Sequence, residues 1–172
     1  MASIAIVIDD DFEDSEYEEP ARCLKEAGHE LTLVGIRKGK QVEGKRHESR
    51  VTVECTPGDV AADDFDALLI PGGYSPDKLR THEDIVAFVK AFHTSGKLIA
   101  AVCHGPSLLV DADAVRGHRL TSWPSIRRDL VNAGGDVVDE EVVVDGNLIT
   151  SRKPDDLPAF CDAILSHLPR RS

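Results

Sequence analysis

Three short runs without a polar residue set the limits on what this chain can fold into. They are Ile4-Ala5-Ile6-Val7-Ile8, Ala67-Leu68-Leu69-Ile70 and Leu98-Ile99-Ala100-Ala101-Val102. A strand with one wet face alternates apolar and polar residues, whereas a continuously apolar strand is covered on both faces. Helical patterns lie between the runs, one from Ser15 to Ala27 that stops at Gly28 and another from about Glu83 to Phe92. Glu30 to Ile36 reads as a further strand, and a last helix spans about Asp156 to His167. The β-α-β-α order predicts an α/β three-layer sandwich of flavodoxin-like type, a mostly parallel sheet with helices on both faces. Two excursions interrupt it. Residues from Gly39 to Val53 suggest a small edge hairpin. Glu141 to Val144, a turn at Asp145-Gly146, and Asn147 to Thr150 predict a second hairpin. All 172 residues read as one domain, 1–172.

The net charge of −11 argues against nucleic acid or an anionic membrane as partner, since both attract basic patches. No apolar run approaches the roughly 20 residues of a membrane span, and the first strand begins too early for a signal peptide. A cytoplasmic location is the expectation. The four cysteines, Cys23, Cys55, Cys103 and Cys161, include no C-x-x-C pair, so neither structural zinc nor a disulfide framework is expected. No metal and no cofactor is expected. Cys23, Cys55 and Cys161 read as packing residues.

In sheets of this kind ligands bind at the carboxyl ends of the strands. The acidic segment after the first strand, Gly72-Gly73 and Cys103 all fall there. Cys103 ends a strand, His104 follows, and Gly105-Pro106 opens a helix, the arrangement of a nucleophile elbow. Its thiol is expected to be exposed over a helix N-terminus, which favours the thiolate. Glycines at 72 and 73 let backbone N–H groups face a pocket and, with the N–H of His104, form an oxyanion hole. His104 suits a base and proton shuttle, given a third group to orient it. Most carboxylates from Asp11 to Glu19 fit a solvated helix start. One of them facing inward could hold a proton against the thiolate. Glu13 and Glu16 share a helix face, and so do Glu16 and Glu19; spacing leaves the choice open. The acids in Ile8-Asp9-Asp10-Asp11 are similar to those of a phosphoacceptor receiver, but the third strand ends in Pro71-Gly72-Gly73, where a receiver needs an aspartate.

The residues resemble the ThiJ/PfpI superfamily, in particular its PfpI-like intracellular protease branch. The resemblance is carried by Phe12-Glu13-Asp14-x-Glu16, Leu24 to His29, Phe65 to Gly73, Ala101-Val102-Cys103-His104-Gly105-Pro106, Asn132-Ala133-Gly134-Gly135, and Glu141 to Asn147 followed by Thr150-Ser151-Arg152. It extends from about Ile4 to Leu168. It implies that Cys103 is the nucleophile, His104 its partner, and Glu16 the carboxylate at the sulfur. Gly73 and His104 supply the oxyanion hole, with Gly72, Glu13 and Trp123 in the pocket. An acid just after the Pro-Gly-Gly turn, here Asp77 in place of glutamate, would reach the histidine from a neighbouring subunit. Trp123 stands where relatives often carry tyrosine. The implied partners are a second copy of the chain, as a homodimer or hexamer, and small carbonyl or peptide substrates. The implied function is a cysteine-dependent hydrolase of stress response, a protease, deglycase or glyoxalase-like enzyme. The alternative is a redox-sensing protein in which Cys103 is oxidised.

Overall fold

The computed structural model describes residues 1–169. From the N-terminus, strand β1 (Ser3–Val7) leads through an acidic loop into helix α1 (Asp14–Glu26) and strand β2 (Glu30–Val34). A small ribbon follows, β3 (Gln41–Glu43) with β4 (Arg50–Thr52). Then come β5 (Ala67–Ile70), α2 (Ser75–Leu79), α3 (Glu83–Thr94), β6 (Leu98–Val102) and α4 (Pro106–Asp111). The last third holds β7 (Arg119–Leu120), α5 (Arg127–Asn132), β8 (Asp136–Val137), β9 (Val143–Asp145), β10 (Leu148–Ser151) and α6 (Leu157–His167).

The main sheet runs β2-β1-β5-β6-β10-β9, parallel except for the β9–β10 hairpin. The continuous apolar runs are its inner strands. Side chains alternate across a strand, and the two cores follow that alternation. Ala5, Val7, Leu68 and Ile70 pack with Phe88, Val89 and Phe92 of α3 and Leu108 of α4. Ile4, Ile6, Leu69 and Ala100 pack with Tyr17 and Leu24 of α1 and Phe160 and Ile164 of α6. Phe88 and Phe92 meet edge-on at 5.1 Å between centroids, and each such buried ring contributes roughly 1.5–3 kcal/mol through burial. The three-layer α/β expectation holds.

Three sequence expectations need correction. The Gly39–Val53 excursion is a separate two-stranded ribbon and not an edge of the main sheet. Its backbone docks on the β1–α1 loop, with Asp11 N–H to Glu43 O at 2.8 Å and Lys45 N–H to Phe12 O at 2.9 Å. The second hairpin turns at Gly146-Asn147, because Asp145 still pairs with Leu148; Gly146 takes the positive φ of 56° that the turn demands. Finally, α2, α5 and the β7–β8 pair were not anticipated, being too short for a helical or alternating period to show.

Candidate active site

The β1, β5 and β6 strands are neighbours, so the loops at their carboxyl ends meet. Cys103 sits between β6 and α4 with φ of 63°, a left-handed conformation that a side chain adopts only under constraint. Its N–H donates to Ser151 O at 3.0 Å and its carbonyl accepts from Trp123 N–H at 3.0 Å, so both sides of the elbow are tied down. The sulfur lies 3.4 Å from His104 Nδ1. The other ring nitrogen of His104 lies 3.2 Å from Ser125 Oγ, and Trp123 stacks on the ring at 6.3 Å. Ser125 thus stands where a third group would orient the histidine. Sequence reasoning missed it, since an exposed serine in an irregular segment carries no periodic or spacing signal.

Glu16 resolves the choice left open by helical spacing. It is fully buried, while Glu19 points to solvent and pairs with Arg22. Its Oε1 accepts the N–H of Gly72 at 3.0 Å, and its carboxyl is hydrogen-bonded with Cys103. Oε2 is buried without a hydrogen-bond partner, an uncompensated polar atom that adds to the cost of ionising this carboxyl. Burial, and then the charge of Glu13, push the Glu16 carboxyl up to about 8, so it keeps its proton at neutral pH. A Cβ at Gly72 would stand 2.4 Å from Glu16 Oε1 and 2.9 Å from Cys103 Cβ. Only glycine lets β5 end this close to both groups. Gly73 has φ of 76° and a built Cβ would lie 2.4 Å from Glu13 N.

The Cys103 thiol differs from the exposed thiolate expected of an elbow. It is 8% exposed. Burial first, and then the charge of Glu16, raise its pKa; the backbone N–H groups of His104 and Gly73 hydrogen-bond to the sulfur and act in the opposite direction. The six-residue α4 offers too short a dipole to outweigh desolvation. A neutral Glu16 removes the second of the upward causes and supplies a donor, so carboxyl and thiol behave as one proton-sharing pair.

A cavity of about 260 Å³ opens over the sulfur, lined by Glu13, Glu16, Gly73, His104, Trp123 and Pro154 among others. Lys45 and Arg46 of the ribbon also line it. They clamp the buried Glu13 at 2.9 and 3.0 Å, and Lys45 lies 5.9 Å over the ring of Tyr74. Glu13 therefore holds the ribbon over the pocket. Asp14 does the same from below, accepting the N–H groups of Arg46, Glu48 and Ser49. The acids after β1 have similar local work: Asp9 binds Lys40 at 2.8 Å and receives Lys40 as ion-pair partner with Asp10, while Asp10 also accepts the N–H of Glu43. Asp77 lies on α2, exposed, with no hydrogen bond to His104 within the chain; its charge still favours protonated His104, against the larger downward effect of burial. Among the described residues no cluster of three metal-ligating side chains occurs, and no helix is long and apolar enough to cross a membrane.

Residues 2–167 match the DJ-1/PfpI family. The chain belongs to the DJ-1/PfpI family. General stress protein 18 of Bacillus subtilis is 56% identical over 158 residues, covering 91% of this chain and 92% of that protein. Protein/nucleic acid deglycase 2 of Escherichia coli is 49% identical over 158 residues, with the same coverage. A solved two-domain protein from Anabaena variabilis, with DJ-1/ThiJ/PfpI-like and ferritin-like domains, superposes with a TM-score of 0.95 at 43% identity. It covers 99% of this chain, which spans about half the length of that protein. The chain is thus a DJ-1/PfpI protein whose relatives are named for stress and for deglycation.

Proposed function

We propose that this DJ-1/PfpI protein is a cysteine-dependent hydrolase acting on reactive carbonyl compounds, dicarbonyls and early glycated amines or thiols, under stress conditions. The observation that carries this reading is the Cys103 sulfur 3.4 Å from His104 Nδ1, beneath a pocket and beside a buried Glu16. The name of the Escherichia coli relative, a protein/nucleic acid deglycase, supports the substrate class. In this reading the sulfur adds to the carbonyl carbon and the carbonyl oxygen takes the electron pair. The N–H groups of Gly73 and His104, already aimed at the sulfur, turn to the new oxyanion beside it. On a dicarbonyl, His104 or Glu16 then takes the proton from the sulfur-bearing carbon and returns one to the neighbouring carbon, turning the adduct into a thioester, and water cleaves its C–S bond to release the hydroxy acid and restore the thiol. Trp123 gives the small substrate an apolar wall. Asp77, exposed on α2, is available to the His104 of a second copy in a homodimer or larger assembly.

The test is consumption of methylglyoxal by the purified protein with Cys103 reduced and no cofactor added, run beside a fluorogenic peptide. Turnover of the dicarbonyl with formation of the hydroxy acid is expected. Inertness toward both would overturn the hydrolase reading. Peptide cleavage alone would replace the substrate class and keep the nucleophile.

The orienting contact makes a second expectation. Ser125→Ala should lower dicarbonyl turnover roughly ten- to a hundredfold, because a histidine free to rotate loses its near-attack geometry. The serine is exposed, so thermal stability should stay within the small range of surface substitutions. A Ser125→Ala enzyme with unchanged kcat would show that the hydroxyl does not orient the ring.

A further inference from the structure

The two cysteines read from the sequence as packing residues of separate helices are neighbours. Cys23 lies on α1 and Cys161 on α6, and these helices pack side by side on one face of the sheet. Both line a surface cavity of about 460 Å³, with Glu19, Arg22, Leu157 and Asp162. Cys23 is partly exposed at the cavity wall, and Cys161 is 8% exposed behind it. The Cys161 thiol feels the charge of Cys23 beside it, and both cysteines are free in the structure. Cys55, by contrast, is buried against Leu33 O with no second cysteine beside it among the described residues.

We propose that Cys23 and Cys161 are a second redox site, remote from Cys103, that closes to an intrachain disulfide when a hydroperoxide is present. The inference does not depend on the hydrolase reading. Cys23, the more exposed, reacts first. Its sulfur attacks one peroxide oxygen, the O–O bond breaks, and water or an alcohol leaves with the thiol proton, giving a sulfenic acid. The Cys161 sulfur then attacks the Cys23 sulfur. The S–S bond forms, the S–O bond breaks, and hydroxide leaves as water with the Cys161 proton. The two thiols lose two electrons in all, and the peroxide takes both. Burial pushes the Cys161 thiol up to about 12, with the charges of Cys23, Glu19 and Asp162 adding to the effect. Cys161 therefore stays a thiol until its neighbour has been oxidised, which suits a resolving partner and not a first target. The bond would tie α1, which carries Glu16 two turns before Cys23, to the C-terminal helix.

The test is treatment of the purified full chain with excess hydrogen peroxide, followed by peptide mass mapping without reduction. The expected product is one Cys23–Cys161 linked peptide, lighter by two hydrogens than its separate halves, in most chains and reversed by dithiothreitol. Cys23→Ser should abolish the link, and Cys55→Ser should leave it intact. The proposal is overturned by oxygen additions on Cys23 without the link, by Cys23 bonded between chains, or by both thiols intact after Cys103 is oxidised. The wild-type mapping decides between these without relying on any variant.

Discussion

Replacing Cys103 by alanine is expected to lower methylglyoxal turnover by about 10³-fold or more while the protein stays folded. The size follows from the geometry. No other pocket side chain is placed to take over as nucleophile: His104 meets the site through the sulfur, Glu16 is buried behind it, held by the Gly72 N–H, and the Lys45 amine is held charged by its ion pair with Glu13. The cost to stability should be small in comparison. Alanine accepts the same φ of 63° with no more strain than cysteine, and the elbow's backbone bonds to Ser151 and Trp123 do not involve the thiol. Glu16 loses a hydrogen bond but keeps its proton, because burial is the larger cause of its raised pKa. The measurement pairs initial rates of dicarbonyl loss with a thermal melt of the two proteins. A folded, inactive variant identifies the sulfur as the reacting atom. Retained turnover in a folded variant would remove Cys103 from the chemistry and leave the pocket a binding site.

What the sequence revealed and what it hid divide along a physical line. The apolar strands were legible because burial on both faces admits no polar residue, and Ala67–Ile70 and Leu98–Val102 appear where they were expected. Cys103, His104 and Gly73 were legible because a strand-to-helix turn constrains residue types within four positions. Glu16 was legible only as one of several carboxylates on a helical period, and the resemblance was needed to choose it. The roof of the pocket was not legible. Lys45 and Arg46 reach the site through a ribbon anchored by Asp14 and Glu13, contacts more than thirty residues apart in the chain. Their one trace in sequence was a basic step, Lys45-Arg46-His47, in an acidic chain. The expectation of an exposed, low-pKa thiol failed for a related reason. Local position suggested a helix dipole, whereas the deciding quantity was desolvation, which depends on what tertiary packing places around the sulfur.

Glu16→Gln should change both the stability curve and the thiol. In the folded protein burial pushes the Glu16 carboxyl up to about 8, against 4.5 for an unburied glutamate. A raised folded pKa means that the native state binds the proton more tightly. The contribution is fully present below about 4.5 and is lost as pH rises through about 8. At 1.36 kcal/mol per unit, the wild type should lose on the order of 5 kcal/mol from this group between pH 4.5 and 9. Glutamine does not titrate, so its urea-unfolding free energy should fall far less over the same range, and the two curves should converge toward acid pH. Parallel curves would mean that Glu16 is not the buried proton holder. The chemistry should move in the opposite sense. The amide oxygen can still accept the Gly72 N–H, and the amide N–H can face the sulfur permanently, without the charge that opposes a thiolate. Alkylation of Cys103 by iodoacetamide should therefore begin at lower pH in the variant, while dicarbonyl turnover falls because an amide cannot pass a proton on. A thiol that ionises more readily in an enzyme that works less well would separate two roles of Glu16. Holding the sulfur's charge in check is one, and carrying the proton that the sulfur must lose is the other.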